Sequence, residues 1–180
     1  MIYVRRSRVQ GAGRKKFWGR AMNLESKVLE DGFVRLEPMT AAHADGLRAA
    51  VEADLEIWPR LYPYSWAGEH FAPTFAKLLA DIEGGQTMAW AVVVDGVVQG
   101  LSTYYAIDRA NAVLEIGGTY YAPAVRGTAV NPAAKRLLMA HAFGAGCRRM
   151  VFRVDALNAR SRAAVLKLGA VQEGALRQDR

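Results

Sequence analysis

A chain of 180 residues, 52% hydrophobic and 23% charged, has the length and composition of one soluble domain with a sizeable core. Its longest strictly apolar run, residues 88–94, falls far short of the ~18 residues a membrane helix needs, so no span is expected. The single cysteine, Cys147, excludes an internal disulfide and reads as a small buried hydrophobe.

The net charge of +7 suggests nucleic acid until it is followed along the chain. Residues 1–20 carry Arg5, Arg6, Arg8, Arg14, Lys15, Lys16 and Arg20 and no acid, and the remainder balances to zero. A basic, glycine-containing stretch without apolar periodicity predicts a disordered tail over residues 1–22: an over-extended start, the favoured reading, or a targeting segment or an anion-binding arm. The neutral body lacks interleaved basic and aromatic patches, which argues against a nucleic-acid partner. Residues 23–180 form the single expected domain.

Residues 32–39 alternate apolar and polar side chains as a half-buried strand does, and Thr40 is placed to cap a helix over 41–53. Residues 57–66, rich in proline and aromatics, predict a structured loop. A helix follows over 71–82, stopped by Gly84 and Gly85. The period then changes to strands at 87–94 and 97–105, joined by Asp95-Gly96, a tight-hairpin signal, with a third strand at 112–121. A glycine-containing loop, 125–130, leads into a helix with Asn131 as cap and Pro132 at its first position, its inner face Leu137, Leu138, His141 and Ala142. A strand at 150–154, a helix from Asn158 to Leu168 with Gly169 as its stop, and a last strand near Leu176 complete the order. His43, His70 and His141 are spaced too irregularly for a metal site, so none is expected.

The turn before the helix at 131 offers backbone N–H groups and the positive end of a helix dipole to a phosphate, with Arg126 as a bidentate anion partner. Alone, such a turn is commonly only a turn. Two segments together carry more. The run Leu114-Glu-Ile-Gly-Gly-Thr-Tyr-Tyr-Ala-Pro-Ala-Val-Arg-Gly-Thr-Ala-Val-Asn-Pro-Ala-Ala-Lys135 resembles the coenzyme-A-binding core of the GNAT superfamily of N-acetyltransferases. Asp155-Ala-Leu-Asn-Ala-Arg-Ser-Arg-Ala-Ala-Val-Leu-Lys-Leu-Gly-Ala-Val-Gln-Glu-Gly174 resembles the second signature of the branch containing the bacterial ribosomal-protein N-terminal acetyltransferases.

The resemblance implies an α/β (in some schemes α+β) fold, a mixed and mostly antiparallel sheet flanked by helices. It implies a cytoplasmic enzyme that moves acetyl from acetyl-CoA to a primary amine, a protein N-terminus or a small molecule, with a homodimer among its possible assemblies and no membrane or metal. Backbone groups of Thr119 and Tyr121 would bond the pantetheine arm. The loop Arg126, Gly127, Thr128, Ala129, Val130 and Asn131 would hold the pyrophosphate, and Asn158 would reach the pantetheine. Glu115 is the candidate base, since an alkylammonium must lose a proton before it attacks; its bland alternative is a solvated strand carboxylate. Ser161 is the candidate donor to the departing sulfur, or simply a first-turn helix serine. Trp58, Tyr62, Tyr64 and Trp66 would line the substrate groove, or else cover the core.

Four departures from the family pattern carry expectations. Ala129 replaces the loop's second glycine, where a methyl would crowd the pyrophosphate or forbid a positive φ. Gly118 stands where the branch often has an aromatic, so a looser wall is expected. Val165 stands where many members have an acidic tyrosine. The family's final strand, inserted between the fifth and sixth, is absent after Arg180, which predicts an exposed edge on the 150–154 strand. The alternative reading is therefore a truncated, impaired relative serving as a binding or interaction module.

Overall fold

The computed structural model describes residues 2–5 and 22–175. Eight strands form one sheet in the order β2-β3-β4-β5-β6-β7-β1-β8: β1 Ile2–Arg5, β2 Leu29–Glu30, β3 Arg35–Pro38, β4 Met88–Val94, β5 Val97–Asp108, β6 Val113–Tyr121, β7 Arg149–Phe152 and β8 Val171–Gln172. Every neighbouring pair is antiparallel except β6 and β7. The helices are α1 Ala44–Glu52, α2 Trp58–Leu61, α3 Phe71–Glu83, α4 Val130–Gly144 and α5 Ala159–Leu166.

The strands alternate between two cores. On β4, Trp90 and Val92 join Tyr104, Leu114, Ile116 and Leu138 beneath α4. Ala89, Ala91 and Val93 join Leu101, Tyr120, Leu47 and Phe75 beneath α1 and α3. Both faces are covered, which explains why β4 reads as an unbroken apolar run rather than an alternation. Each fully buried large side chain there contributes roughly 1.5–3 kcal/mol. Asp95 and Gly96, at φ 51° and 76°, make the tight turn expected between β4 and β5.

The helices match the sequence reading closely, with local adjustments. The expected strand at 32–39 is a β2–β3 hairpin, with Asp31 Oδ1 accepting from the N–H groups of Phe33 and Val34. The aromatic segment is not merely a loop: a 3-10 turn at Leu55–Ile57 runs into α2, with Pro59 in its first turn, where a missing N–H is harmless. Helix α4 starts at Val130, one residue before the expected cap, because Thr128 Oγ1 accepts from Val130 N–H at 3.2 Å. Asn158 does cap α5, accepting from Ser161 N–H at 3.0 Å.

The edge expected to be open is occupied. β1 pairs antiparallel with β7, Ile2 opposite Phe152 through Arg5 opposite Arg149, and on its other side with β8, Tyr3 opposite Val171. Backbone from the N-terminal segment thus fills the slot between β7 and β8. The disordered-tail reading does not hold for residues 2–5, because an unpaired strand edge offers a ladder of hydrogen bonds that composition cannot reveal. The rest of the basic segment, through residue 21, lies outside the described residues.

Candidate active site

The parallel ladder between β6 and β7 stops at Glu115 opposite Val151, while β6 runs on to Tyr121. Beyond that pair the strands part into a fork, leaving the Ile116 to Tyr121 edge of β6 without a ladder partner on β7. Opposite, β6 carries one extra residue against β5, where the register shifts between Leu101 and Thr103. Gly100 makes that close approach possible: a Cβ there would lie 2.0 Å from the Tyr120 carbonyl oxygen. A groove of about 2120 Å³ runs along the fork.

At one end lies the loop before α4. The N–H groups of Gly127, Thr128 and Ala129 bond no acceptor among the described residues, and they stand at the start of a 15-residue helix. Gly127 takes the positive φ, 77°, whereas Ala129 sits at φ −71°. The feared conformational conflict at Ala129 therefore does not arise. Ala129 and Val130 do not line the groove; Val130 packs into the core. Asn131 and Tyr121 line it, their Oδ1 and Oη atoms are buried without a partner, and burial raises the Tyr121 phenol. Unpaired amides and two orphaned polar atoms along one wall suit a ligand rich in acceptors and amides, as the pyrophosphate and pantetheine of coenzyme A are.

Arg126 departs from its expected role. Its guanidinium pairs with Asp54, donates to the Tyr121 carbonyl at 2.7 Å and to Tyr120 Oη at 3.2 Å, and lies over the Tyr120 ring. Its N–H bonds the Pro123 carbonyl. Arg126 thus ties the loop to the segment before α2 rather than facing an anion, and this pairing lowers the Asp54 carboxyl below its ordinary range.

The aromatic residues divide. Trp58 is 2% and Trp66 6% exposed; Trp58 stacks on Tyr120 at 4.8 Å and donates to the Val51 carbonyl, so both are mainly core. Tyr62 donates to the Thr119 carbonyl at 2.9 Å, crossing the groove wall, and burial pushes its phenol up to about 12. Tyr64 is exposed. Tyr105, not anticipated, fills the space beside Gly118, its Oη lying 2.4 Å from where a Cβ would be. The wall is therefore not loose there.

Glu115 is 5% exposed and pairs with Arg153 at 3.3 Å; it is no solvated carboxylate. It lies on the sheet face of Tyr105, at the crotch of the fork. Asn158 and Ser161 line the same groove from α5. A residue the sequence reading passed over is Lys135, 5% exposed, whose Nζ donates to Ser102 Oγ at 2.9 Å and Thr119 Oγ1 at 2.6 Å. Burial alone lowers its ammonium to about 7. Its position on the apolar face of α4, three positions before Leu138 and seven before Ala142, was the available signal.

Residues 34–171 match the acetyltransferase (GNAT) domain family. The chain belongs to the GNAT acetyltransferases. This family transfers acetyl groups from acetyl-CoA, and the mixed sheet with its flanking helices is the GNAT fold. No curated protein matches the chain. Among solved structures, a probable GNAT-family acetyltransferase from Chromobacterium violaceum is 27% identical, with a TM-score of 0.83 over 94% of this chain and 86% of that one. A GCN5-related N-acetyltransferase from Brucella melitensis is 31% identical, with a TM-score of 0.81 over 91% and 76%. RimJ of Mycobacterium smegmatis, solved with CoA-disulfide, shares the fold at 22% identity, with a TM-score of 0.71 over 81% and 74%. Among the described residues no helix of this GNAT chain is long and apolar enough to cross a membrane, and no group of three or more His, Cys, Asp and Glu is placed to hold a metal.

Proposed function

We propose that this chain is a cytoplasmic N-acetyltransferase that takes acetyl from acetyl-CoA in the β6–β7 fork and delivers it to a primary amine, a protein N-terminus or a small molecule. The observation that carries this reading is the fork itself, opening beside three unpaired amides at the start of α4. Gly127 and Thr128, which line the groove, hold the pyrophosphate through N–H groups, aided by the helix dipole. Asn131, Tyr121 and Asn158 bond the pantetheine, whose amides replace the missing ladder partner along β6.

The acceptor amine approaches past Tyr62, Tyr64 and Tyr105. Glu115, directly or through water, accepts the ammonium proton and frees the nitrogen lone pair to attack the thioester carbonyl. N–H groups on the open β6 edge support the oxyanion that develops. Collapse breaks the carbon–sulfur bond, and Ser161 offers its O–H as a hydrogen-bond donor to the departing sulfur.

Isothermal titration with acetyl-CoA tests the donor site, and free-thiol release over peptide N-termini, spermine and an aminoglycoside tests the transfer. Binding with thiol release supports an enzyme. Failure to bind at millimolar acetyl-CoA would leave the impaired interaction module as the better reading.

A further inference from the structure

The mechanism above uses one face of the fork and leaves a buried amine on the other. Side chains alternate along β6: Leu114 and Ile116 pack with Ala134 and Leu138 of α4, so Glu115 between them faces the opposite side, with Tyr105 and Gly117. Lys135 rises from α4 on the first side. Its Nζ is held by β5 through Ser102 and by β6 through Thr119, and lies 6.0 Å from the ring centroid of Phe152 on β7. Phe152 is the first residue of β7 beyond the last ladder pair. The amine therefore spans the floor of the fork near its crotch, and it lines the groove.

Lys135 forms no ion pair among the described residues. Its nearest partners are neutral hydroxyls, which already bond each other at 2.9 Å and so do not require it. The titratable groups on the surrounding elements are Tyr104, Tyr105 and Asp108 on β5, Glu115, Tyr120 and Tyr121 on β6, Arg149 on β7 with Arg153 just after it, Arg136 and His141 on α4, and Arg160 and Arg162 on α5. None of them contributes to its lowered ammonium, which burial alone accounts for. A desolvated cation without a counter-charge costs stability wherever it serves only to fill space.

We propose that Lys135 is a catalytic residue: its ammonium, on the face of the fork opposite Glu115, donates a proton to the departing coenzyme A sulfur. This rests on the donor-site reading above. One N–H bond of Lys135 breaks and one S–H bond forms, so coenzyme A leaves as the thiol and Lys135 is left a neutral amine. The attacking nitrogen gives up its two protons through Glu115 and solvent, and solvent recharges Lys135. The transfer runs downhill, from an amine lowered to about 7 to a thiol of about 8.5. An alcohol such as Ser161 has no comparable acidity and serves as a hydrogen-bond donor only.

Lys135→Met and Lys135→Arg, titrated with acetyl-CoA and assayed for thiol release from pH 6 to 9.5 with the same amines, test this. Both variants should bind acetyl-CoA within about threefold of wild type and lose about 100-fold in kcat, since a positioned acid contributes roughly that much and arginine does not deprotonate. Wild-type kcat should fall above pH ~7, a limb absent from both variants. Wild-type turnover in Lys135→Met would overturn the proposal and leave the donor site standing. So would full activity in Lys135→Arg, which would make the residue a fixed positive brace. A wild type that neither binds acetyl-CoA nor releases thiol would overturn the donor-site reading itself.

Discussion

Replacing Lys135 with methionine should stabilise the protein at pH 6, against the usual effect of a core substitution. Folding lowers this amine from its ordinary 10.5 to about 7. At about 1.4 kcal/mol per pH unit, holding it charged and buried below pH 7 costs roughly 5 kcal/mol. Methionine removes that cost, matches the stem in length, and forfeits two hydrogen bonds worth ~1 kcal/mol each; Ser102 and Thr119 keep each other satisfied. The net gain is then about 2–3 kcal/mol, or roughly 5–10 °C in Tm for a chain of this size. Between pH 7 and 10.5 the unfolded chain binds a proton that the folded one has shed, so wild-type stability rises with pH in that window. The advantage of Lys135→Met should accordingly shrink from pH 7 upward and disappear by about pH 10. Thermal melts of both proteins across pH 6 to 10 provide the measurement, and a Tm difference that stays flat over that range would refute the burial account of this lysine.

Gly100→Ala places a Cβ 2.0 Å from the Tyr120 carbonyl oxygen and must push β5 from β6; a loss of about 2–4 kcal/mol should appear as a Tm lower by roughly 5–15 °C, with weakened acetyl-CoA binding by titration. Asp54→Asn releases Arg126 from its ion pair and should lower both Tm and acetyl-CoA affinity at pH 7. Because Asp54 is held below its ordinary 3.8 in the fold, its contribution is present above that value and lost as pH falls through the folded one, so the Tm gap to Asp54→Asn should close in acid. Removing residues 1–5 exposes the β7 and β8 edges; a lowered Tm with light scattering that grows on storage is expected, and an unchanged melt would deny the pairing.

Much of the fold was written in local pattern. The Asp95-Gly96 turn, the 3.6-residue spacing of Phe71, Phe75 and Leu78, and the Asn158 cap each follow from neighbours a few residues apart. The slot taken by residues 2–5 could not be read that way, since its partners lie across the whole chain. Site residues divide similarly. The glycine loop before α4 announces itself as an anion cradle, yet the diversion of Arg126 depends on Asp54, 72 residues earlier. Trp58 and Trp66 are too large and apolar to leave in a groove once Tyr120 and Phe71 offer rings to stack against. Lys135 escaped notice because a lysine on a helix ordinarily points to water, and its helical spacing with Leu138 and Ala142 was the one local hint that this one does not.

Strand β1 is made before the other seven strands, yet its partners at Arg149–Phe152 and Val171–Gln172 emerge about 150 residues later. At typical translation speeds of roughly 5–20 residues per second, that segment waits about 7–30 seconds while β2 through β6 can already assemble. Its docking brings the most distant contacts in the chain, the kind whose loop closure slows folding. Affinity tags, too, meet the molecule unevenly: one fused ahead of Ile2 is joined directly to a strand paired on both sides.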